Sequence, residues 1–66
     1  MVKDLHELAE MLAKRDNISI FEAEKAIAMC QMDMETAFYN GNLDLAEQIM
    51  AGDLNLDTEY FSLFIN

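Results

Sequence analysis

The chain contains few residues that interrupt a helix: it has no proline, and its only glycines are Gly41 and Gly52. Proline and glycine are the residues that most destabilise a helix interior, whereas the abundant alanine, leucine, methionine and glutamate favour one. Helix is therefore favoured over nearly the whole length. We expect an all-α fold, a small bundle of about four helices in which a long second helix is central.

The length of the chain limits it to a single helical domain, residues 1–66. A domain this small buries only about 60% of its unfolded surface and usually needs extra support. Cys30 is the only cysteine, so an internal disulfide is excluded, and there is no Cys/His cluster for zinc. Support must then come from good helix packing, self-association or a bound partner. The hydrophobic content of 53% is too high for a disordered acidic tail.

Capping signals and apolar spacing predict the two longer helices. The first is expected from Val2 to Arg15, where apolar residues recur at the helical period. The sequence Ser19-Ile20-Phe21-Glu22 fits a capping box, in which the serine caps the helix and the glutamate reaches back. This second helix should run to Tyr39 and end at Asn40-Gly41, since glycine readily takes the left-handed turn.

Two shorter helices are predicted for the remainder of the chain. The third should run from Leu43 to Ala51 and end at Gly52, and its buried side should consist of Leu43, Ala46, Ile49 and Met50. Asp57 should cap a fourth helix from Thr58 to Ile65. The fourth helix is unusually apolar for a terminus, so we expect it to be docked on the bundle.

The second helix carries two apolar stripes on a helical wheel. The main stripe, which we expect to face the core, consists of Ile20, Ala23, Ala26, Ile27, Cys30, Met34, Ala37 and Phe38. A narrower second stripe consists of Phe21, Ala28, Met32 and Tyr39. A helix with two apolar faces is either central in a bundle or in contact with a second chain.

The charge of the chain is negative and unevenly distributed. The net charge is −9, and no lysine or arginine follows Lys25. Such a surface repels nucleic acid and anionic lipid and attracts basic surfaces, so we expect a basic protein partner and neither direct nucleic-acid binding nor membrane binding. The candidate partner-binding acids are those of the base-free part of the chain: Asp33, Glu35, Asp44, Glu47, Asp53, Asp57 and Glu59.

The residues suited to catalysis are few. Cys30 and His6 form a conceivable nucleophile and base, but a buried structural thiol is the more usual role of a free cysteine on an apolar stripe. The chain is also too short to build a cleft around a pair of carboxylates. We expect a protein that is not an enzyme and has no catalytic residues and no cofactor.

A calcium-binding alternative comes from the alternation of Asp53, Asn55, Asp57 and Glu59. Oxygen ligands recur in this way in the first half of an EF-hand loop. The pattern then fails, because Thr58 stands where the loop needs glycine and Phe64 where it needs the bidentate glutamate. A turn followed by a helix cap is the alternative interpretation, and we assign no metal ligands.

The methionines and aromatic residues of the second helix suggest an adaptable apolar patch, because methionine suits surfaces that adjust to a partner. The candidate residues for a partner-binding or dimer patch are Phe21, Met29, Met32 and Tyr39. Two arrangements remain open: the fourth helix covers the patch as ordinary core, or the patch is exposed and supports a homodimer. The acids likewise either bind a partner, imitating phosphates in the basic groove of a nucleic-acid-handling protein, or only keep the protein soluble.

Three stretches of the chain resemble a group of small acidic proteins carried by phages and mobile elements of Gram-positive bacteria. The first two run from Glu22-Ala23-Glu24 to Met34, and from Asn40-Gly41-Asn42-Leu43 to Met50. The third, Leu54 to Tyr60, resembles the end of those proteins. The resemblance implies an accessory or host-modulating role and assigns no activity to particular residues. The start, Met1-Val2-Lys3-Asp4, lacks the features of a signal peptide, so we expect a cytoplasmic location.

Overall fold

A computed structural model describes residues 2–65, and the regular elements in that range are all helical. The longest helix, α2, has 20 residues and packs against both α1 and α3. The predicted all-α bundle is confirmed, although α2 is not surrounded, because its outward face is exposed. No helix within residues 2–65 has the length and apolar character needed to span a membrane. The elements in chain order are α1 (Leu5–Asp16), α2 (Ile20–Tyr39), α3 (Leu43–Leu54), a 3-10 helix (Thr58–Phe61) and the single-turn α4 (Ser62–Ile65).

Helix α1 begins later than its apolar spacing predicts. The side chain of Asp4 accepts a hydrogen bond from the Glu7 N–H at 2.9 Å, and its extended backbone marks it as the N-cap. A cap residue is not helical, so Val2 lies outside the helix, where it is partly buried against the core. The helix ends at Asp16, and Asn17 follows in the left-handed conformation with φ 55°.

Helix α2 has the predicted boundaries. The Glu22 N–H donates to the Ser19 hydroxyl at 3.0 Å, and the Ser19 N–H donates to the Glu22 carboxylate at 3.2 Å. These reciprocal bonds form the capping box and satisfy two of the amides left free at a helix start. At the other end Gly41 has a φ of 68°, a conformation that most side chains disfavour, so glycine is favoured at this turn.

Helix α3 is longer than predicted, because it passes through Gly52 and ends at Leu54. Gly52 does not have a positive φ, and the left-handed position belongs to Asn55, with φ 52°. The additional turn buries Leu54, which is 5% exposed. A glycine permits a helix to end but does not force it to do so, and here burial of Leu54 favours continuation.

The end of α3 is held by a side chain from α1. The Arg15 guanidinium donates to the Leu54 carbonyl at 2.7 Å and to the Asn55 carbonyl at 2.8 Å. It also donates to both carboxylate oxygens of Asp16, at 2.8 and 2.9 Å, and this bonding lowers the pKa of Asp16. The last turn of α3 contains no basic residue of its own. Arg15 therefore satisfies free carbonyls and places a positive charge at the negative end of the helix dipole.

The core of the bundle is aliphatic and contains many small residues. It takes one face of each of the three long helices together with Leu56, and it contains no aromatic side chain among the residues described. Ile20 was expected on the buried face but is 40% exposed, because it is the first residue of α2 and extends beyond the packed region. The buried residues are Leu8, Ala9, Leu12, Ala13, Ala23, Ile27, Cys30, Met34, Ala37, Ala46, Met50, Leu54 and Leu56.

The last segment is docked, as predicted, but it is not one continuous helix. Its first four residues form the 3-10 helix, and Asp57 stands before them without a side-chain cap hydrogen bond. The Phe61 ring stacks on the Phe38 ring with centroids 5.9 Å apart, which holds this segment near the end of α2. Tyr60, Leu63 and Phe64 are also partly buried against the core.

We predict that Arg15→Ala lowers the free energy of unfolding by about 1–2 kcal/mol, because it leaves the two carbonyls of α3 without a charged donor. The melting temperature should fall by about 5–10 °C for a domain of this size. Arg15→Lys should give a smaller loss, since it keeps the charge with fewer donors. Lys14→Ala is the control and should change stability little, and an equal loss in the two alanine variants would contradict the capping role.

Candidate functional site

The second stripe of α2 lies on the outside of the bundle. Phe21 is 75% exposed, Met32 is 70% exposed and Tyr39 is 89% exposed. Ala28 is exposed between them, and Met29 borders the stripe at 57% exposure. This face of α2 points away from the core because α1 and α3 both pack against the opposite face.

The final segment does not cover the second stripe, so the first of the two arrangements left open by the sequence is wrong. Phe61 stacks on Phe38, which belongs to the main stripe. Phe38, Phe61 and Phe64 are partly buried together, whereas Tyr39, the neighbour of Phe38, is almost fully exposed. The predicted patch therefore exists as an exposed apolar surface in the monomer.

A second exposed apolar area lies at the start of α3. Leu43, expected to be buried, is 53% exposed, and Leu45 is 43% exposed. Leu43 lines a cleft with Phe38, Phe64 and Ile65. Sequence reasoning missed this area because the spacing of Leu43 from Ala46 and Met50 is that of a buried helix face.

The predicted partner-binding acids lie at the surface. Glu47 is half-buried, and the other six, Asp33, Glu35, Asp44, Asp53, Asp57 and Glu59, are exposed. The structure brings two of them together, since Asp33 on α2 and Asp53 on α3 interact with each other. A hydrogen bond shared with the Asp33 carboxyl when one of the two groups is protonated, some desolvation and the negative charge of Asp33 raise the pKa of Asp53 above its ordinary value. Their proximity depends on helix packing, so no local sequence signal could have revealed it.

The acidic surface is not neutralised within the bundle. Within residues 2–65, the close contacts between basic and acidic side chains join His6 to Glu24 at 3.6 Å and Arg15 to Asp16 at 2.8 Å. Neither pair includes any of the seven candidate acids. Their negative charge is therefore available to an external cation or basic surface.

Cys30 and His6, the conceivable catalytic pair, have different partners. Cys30 is fully buried, and its thiol donates to the Met34 sulfur at 3.5 Å. His6 is exposed on α1 and lies beside Glu24. Burial, with the nearby charges of Asp53 and Asp33, raises the pKa of Cys30 to about 11. A nucleophilic cysteine needs a lowered pKa, so Cys30 has the properties of a core residue.

The alternating acids proposed for calcium do not form a loop. Asp53 lies within α3, Asn55 is its left-handed C-cap, and Asp57 precedes the 3-10 helix. Within residues 2–65, no three acidic, histidine or cysteine side chains gather into a group that could hold a metal ion. The arrangement matches the alternative interpretation of a turn between two helices.

Comparison with protein-family models, with curated proteins and with solved structures gives no match to this chain. The candidate site therefore consists of two surfaces defined by geometry alone. One is the second stripe of α2 with Met29 at its border. The other is the acidic surface, which includes the neighbouring Asp33 and Asp53.

We predict that Asp53→Asn stabilises the protein at neutral pH, by about 0.5 kcal/mol or about 2–3 °C in melting temperature. The change removes repulsion from Asp33 and an unfavourable negative charge in the last turn of α3. Asp57→Asn is the matched control, because Asp57 is exposed and its side chain makes no cap hydrogen bond.

The pH dependence of this gain has a definite sign. The raised pKa means that the folded protein holds a proton on Asp53 that the unfolded chain, with an ordinary value near 3.8, has already released. This group therefore reduces the free energy of unfolding as the pH rises through that value toward the raised one. The advantage of Asp53→Asn, measured by chemical denaturation, should be small near pH 3 and grow toward pH 7. An advantage that is independent of pH would contradict the carboxyl pair.

We predict that Cys30 in the folded protein reacts with iodoacetamide at pH 8 at least about 100-fold more slowly than in guanidinium chloride. The thiolate is the reactive form, and a pKa of about 11 reduces its population about 100-fold relative to an ordinary thiol, before steric protection is counted. Mass spectrometry of quenched samples gives the two rates. Similar rates in the two states would contradict burial of the thiol.

Proposed function

We propose that this protein is a non-enzymatic protein-interaction module whose acidic surface binds a basic protein. The observation that supports this proposal is the concentration of uncompensated carboxylates along α2 and α3, where helix packing places Asp33 near Asp53. A lysine or arginine placed between these two groups would turn their repulsion into attraction. Binding of a basic side chain there should therefore be favoured and should lower the pKa of Asp53.

The partner we favour is a protein that handles nucleic acid. Proteins of that class carry grooves of lysine and arginine that bind phosphates. Carboxylates displayed on a rigid helical scaffold present negative charges to such a groove in place of phosphates. Inhibition of a host protein in this way would suit the accessory role implied by the resemblance to acidic proteins of phages and mobile elements.

The alternative function is a small structural homodimer in which the acids serve solubility. The observation that favours it is the exposed second stripe, because large apolar patches rarely face water without a partner. The two functions use different surfaces, so a protein that dimerises through the stripe keeps most of its acids available to a basic partner.

The test is an affinity capture from the nuclease-treated lysate of a Gram-positive bacterium, eluted with a salt gradient and identified by mass spectrometry. We expect a stoichiometric basic protein that is released as the salt concentration rises from about 0.1 to 0.5 M, because salt screens attraction between exposed charges. Recovery of the bait alone, or of a partner whose retention is insensitive to salt, would overturn the proposal.

Two matched double variants distinguish binding by specific carboxylates from attraction caused by the net charge alone. Asp33→Asn combined with Asp53→Asn should lower the affinity for the captured partner about threefold to tenfold, since exposed ion pairs each contribute about 0.2–1 kcal/mol. Glu10→Gln combined with Glu24→Gln changes the net charge equally at exposed positions of α1 and α2. Equal losses in the two double variants would show that only net charge matters and would contradict a defined binding surface.

A further inference from the structure

The outward face of α2 has the spacing of a coiled-coil contact. Its central positions follow each other at alternating intervals of four and three residues, which is the spacing of the a and d positions of a heptad. All of them are exposed, and they extend over about 27 Å of the helix. We call these six positions the α2 seam: Phe21, Lys25, Ala28, Met32, Glu35 and Tyr39.

We propose that the α2 seam binds the α2 seam of a second copy of this chain, with the two helices antiparallel. A twofold axis that crosses the seam at the level of position 30 pairs each seam residue with another one on the second copy. Phe21 then meets Tyr39 of the second copy, Ala28 meets its Met32, and Lys25 meets its Glu35. The three contacts are repeated by symmetry, because a twofold interface uses the same surface on both copies.

These pairings are chemically complementary. Two aromatic rings meet at each end, where stacked or edge-to-face contacts stabilise association beyond the area they bury. A small alanine faces a long, flexible methionine at the centre, so the two helices can approach closely there. The seam has one positive and one negative charge, and the antiparallel arrangement places them opposite each other on both sides of the axis.

Charge also disfavours the parallel arrangement. In a parallel pair with the same register, Lys25 would face Lys25 of the second copy, and Glu35 would face Glu35 of the second copy. Like charges at both polar positions of the seam would oppose association. The charged pair therefore selects the antiparallel orientation among the symmetric arrangements of this face.

The residues that border the seam are compatible with this arrangement. In an antiparallel coiled coil of this register, Met29 lies beside Met29 of the second copy near the axis, and Glu22 lies near its Thr36. On the other border, Gln31 lies near Gln31 of the second copy, and Glu24 lies near Phe38 of the second copy. Although the chain has net charge −9, no two acids are opposed across these borders.

The distribution of aromatic side chains in the monomer supports the same inference. The chain has two tyrosines and four phenylalanines, and no aromatic residue is among the buried core residues. The two most exposed, Phe21 and Tyr39, are the two aromatic residues of the seam. Aromatic side chains contribute strongly to the energetics of cores and interfaces, so burial of this pair supplies the main apolar contact of the dimer.

The size of the seam predicts the affinity. With about 150 Å² from each exposed aromatic ring and similar areas from the methionines, the dimer would bury on the order of 1,000 Å² in total. This is the lower end of the range for specific interfaces. We therefore expect a dimer with a dissociation constant on the order of 1–100 μM, which forms and separates with protein concentration.

The experiment is sedimentation equilibrium of the purified protein from about 1 to 500 μM, on the wild type and on exchanged charges. Lys25→Glu and Glu35→Lys should each weaken the dimer at least about tenfold, because each places like charges at both polar contacts. The double variant Lys25→Glu/Glu35→Lys restores opposite charges and should return the dissociation constant to within about threefold of the wild-type value. Circular dichroism of each variant reports the fold independently of mass.

The matched controls are Lys14→Glu and Glu10→Lys, which make the same chemical changes at exposed positions of α1. They should leave the dissociation constant within about threefold of the wild type. A wild-type protein that stays monomeric throughout the concentration range would overturn the proposal. A dimer that tolerates both single seam variants, or one that the double variant fails to restore, would overturn the antiparallel pairing.

Orientation is tested directly by cross-linking. A mixture of Phe21→Cys and Tyr39→Cys proteins should give a disulfide-linked dimer under mild oxidation, whereas each variant alone should give little. Cross-linking within each variant alone would indicate a parallel pair and overturn the proposal. The proposal does not rest on binding of a basic protein, and loss of that binding in the Asp33 and Asp53 variants leaves the sedimentation result unchanged.

Discussion

The packing of the bundle depends on a line of small side chains along the inner face of α2. Ala23, Cys30 and Ala37 recur every seven residues, and each is at most 1% exposed. The distance between packed helices depends on the side chains at the contact, so small residues at these positions permit close approach. The resulting core is narrow and filled by leucine, isoleucine, methionine and alanine. A core of this kind leaves no room for large rings, which explains why the aromatic residues lie at its edges or outside it.

Local signals predicted two features of α2 that depend on neighbouring residues. The capping box at Ser19 and the left-handed turn at Gly41 involve groups a few residues apart, so their sequence patterns were sufficient. The end of α3 was predicted wrongly at Gly52, because it depends on burial of Leu54 in the core and on Arg15, about 40 residues earlier in the chain. The pairing of Asp33 with Asp53 was missed for the same reason, since it arises only when α2 and α3 pack together.

The candidate apolar site was identified by the helical wheel, but its exposure was not. The wheel separated two stripes on α2 and left open whether the last segment covers the second one. The outcome depends on where that segment docks, and the stacking of Phe61 on Phe38 directs it to the main stripe. Phe38 and Phe61 are far apart in sequence. Because both are apolar, the spacing of apolar residues was equally compatible with docking of Phe61 on either stripe of α2. Periodicity therefore found the surface, while tertiary packing determined that it is exposed.

The two proposed surfaces should respond to salt in opposite directions, and this relation explains how one small protein can carry both. Two copies with net charge −9 repel each other, and salt screens that repulsion more than it weakens the two Lys25–Glu35 contacts. Self-association through the α2 seam should then become stronger as the salt concentration rises, whereas attraction to a basic partner becomes weaker. At low salt the acidity opposes nonspecific association of an exposed apolar stripe, and the proposed dimer would have to overcome it through the complementary contacts of the seam. An acidic surface and an exposed stripe are therefore compatible on one domain, because the negative charge limits nonspecific association through the stripe.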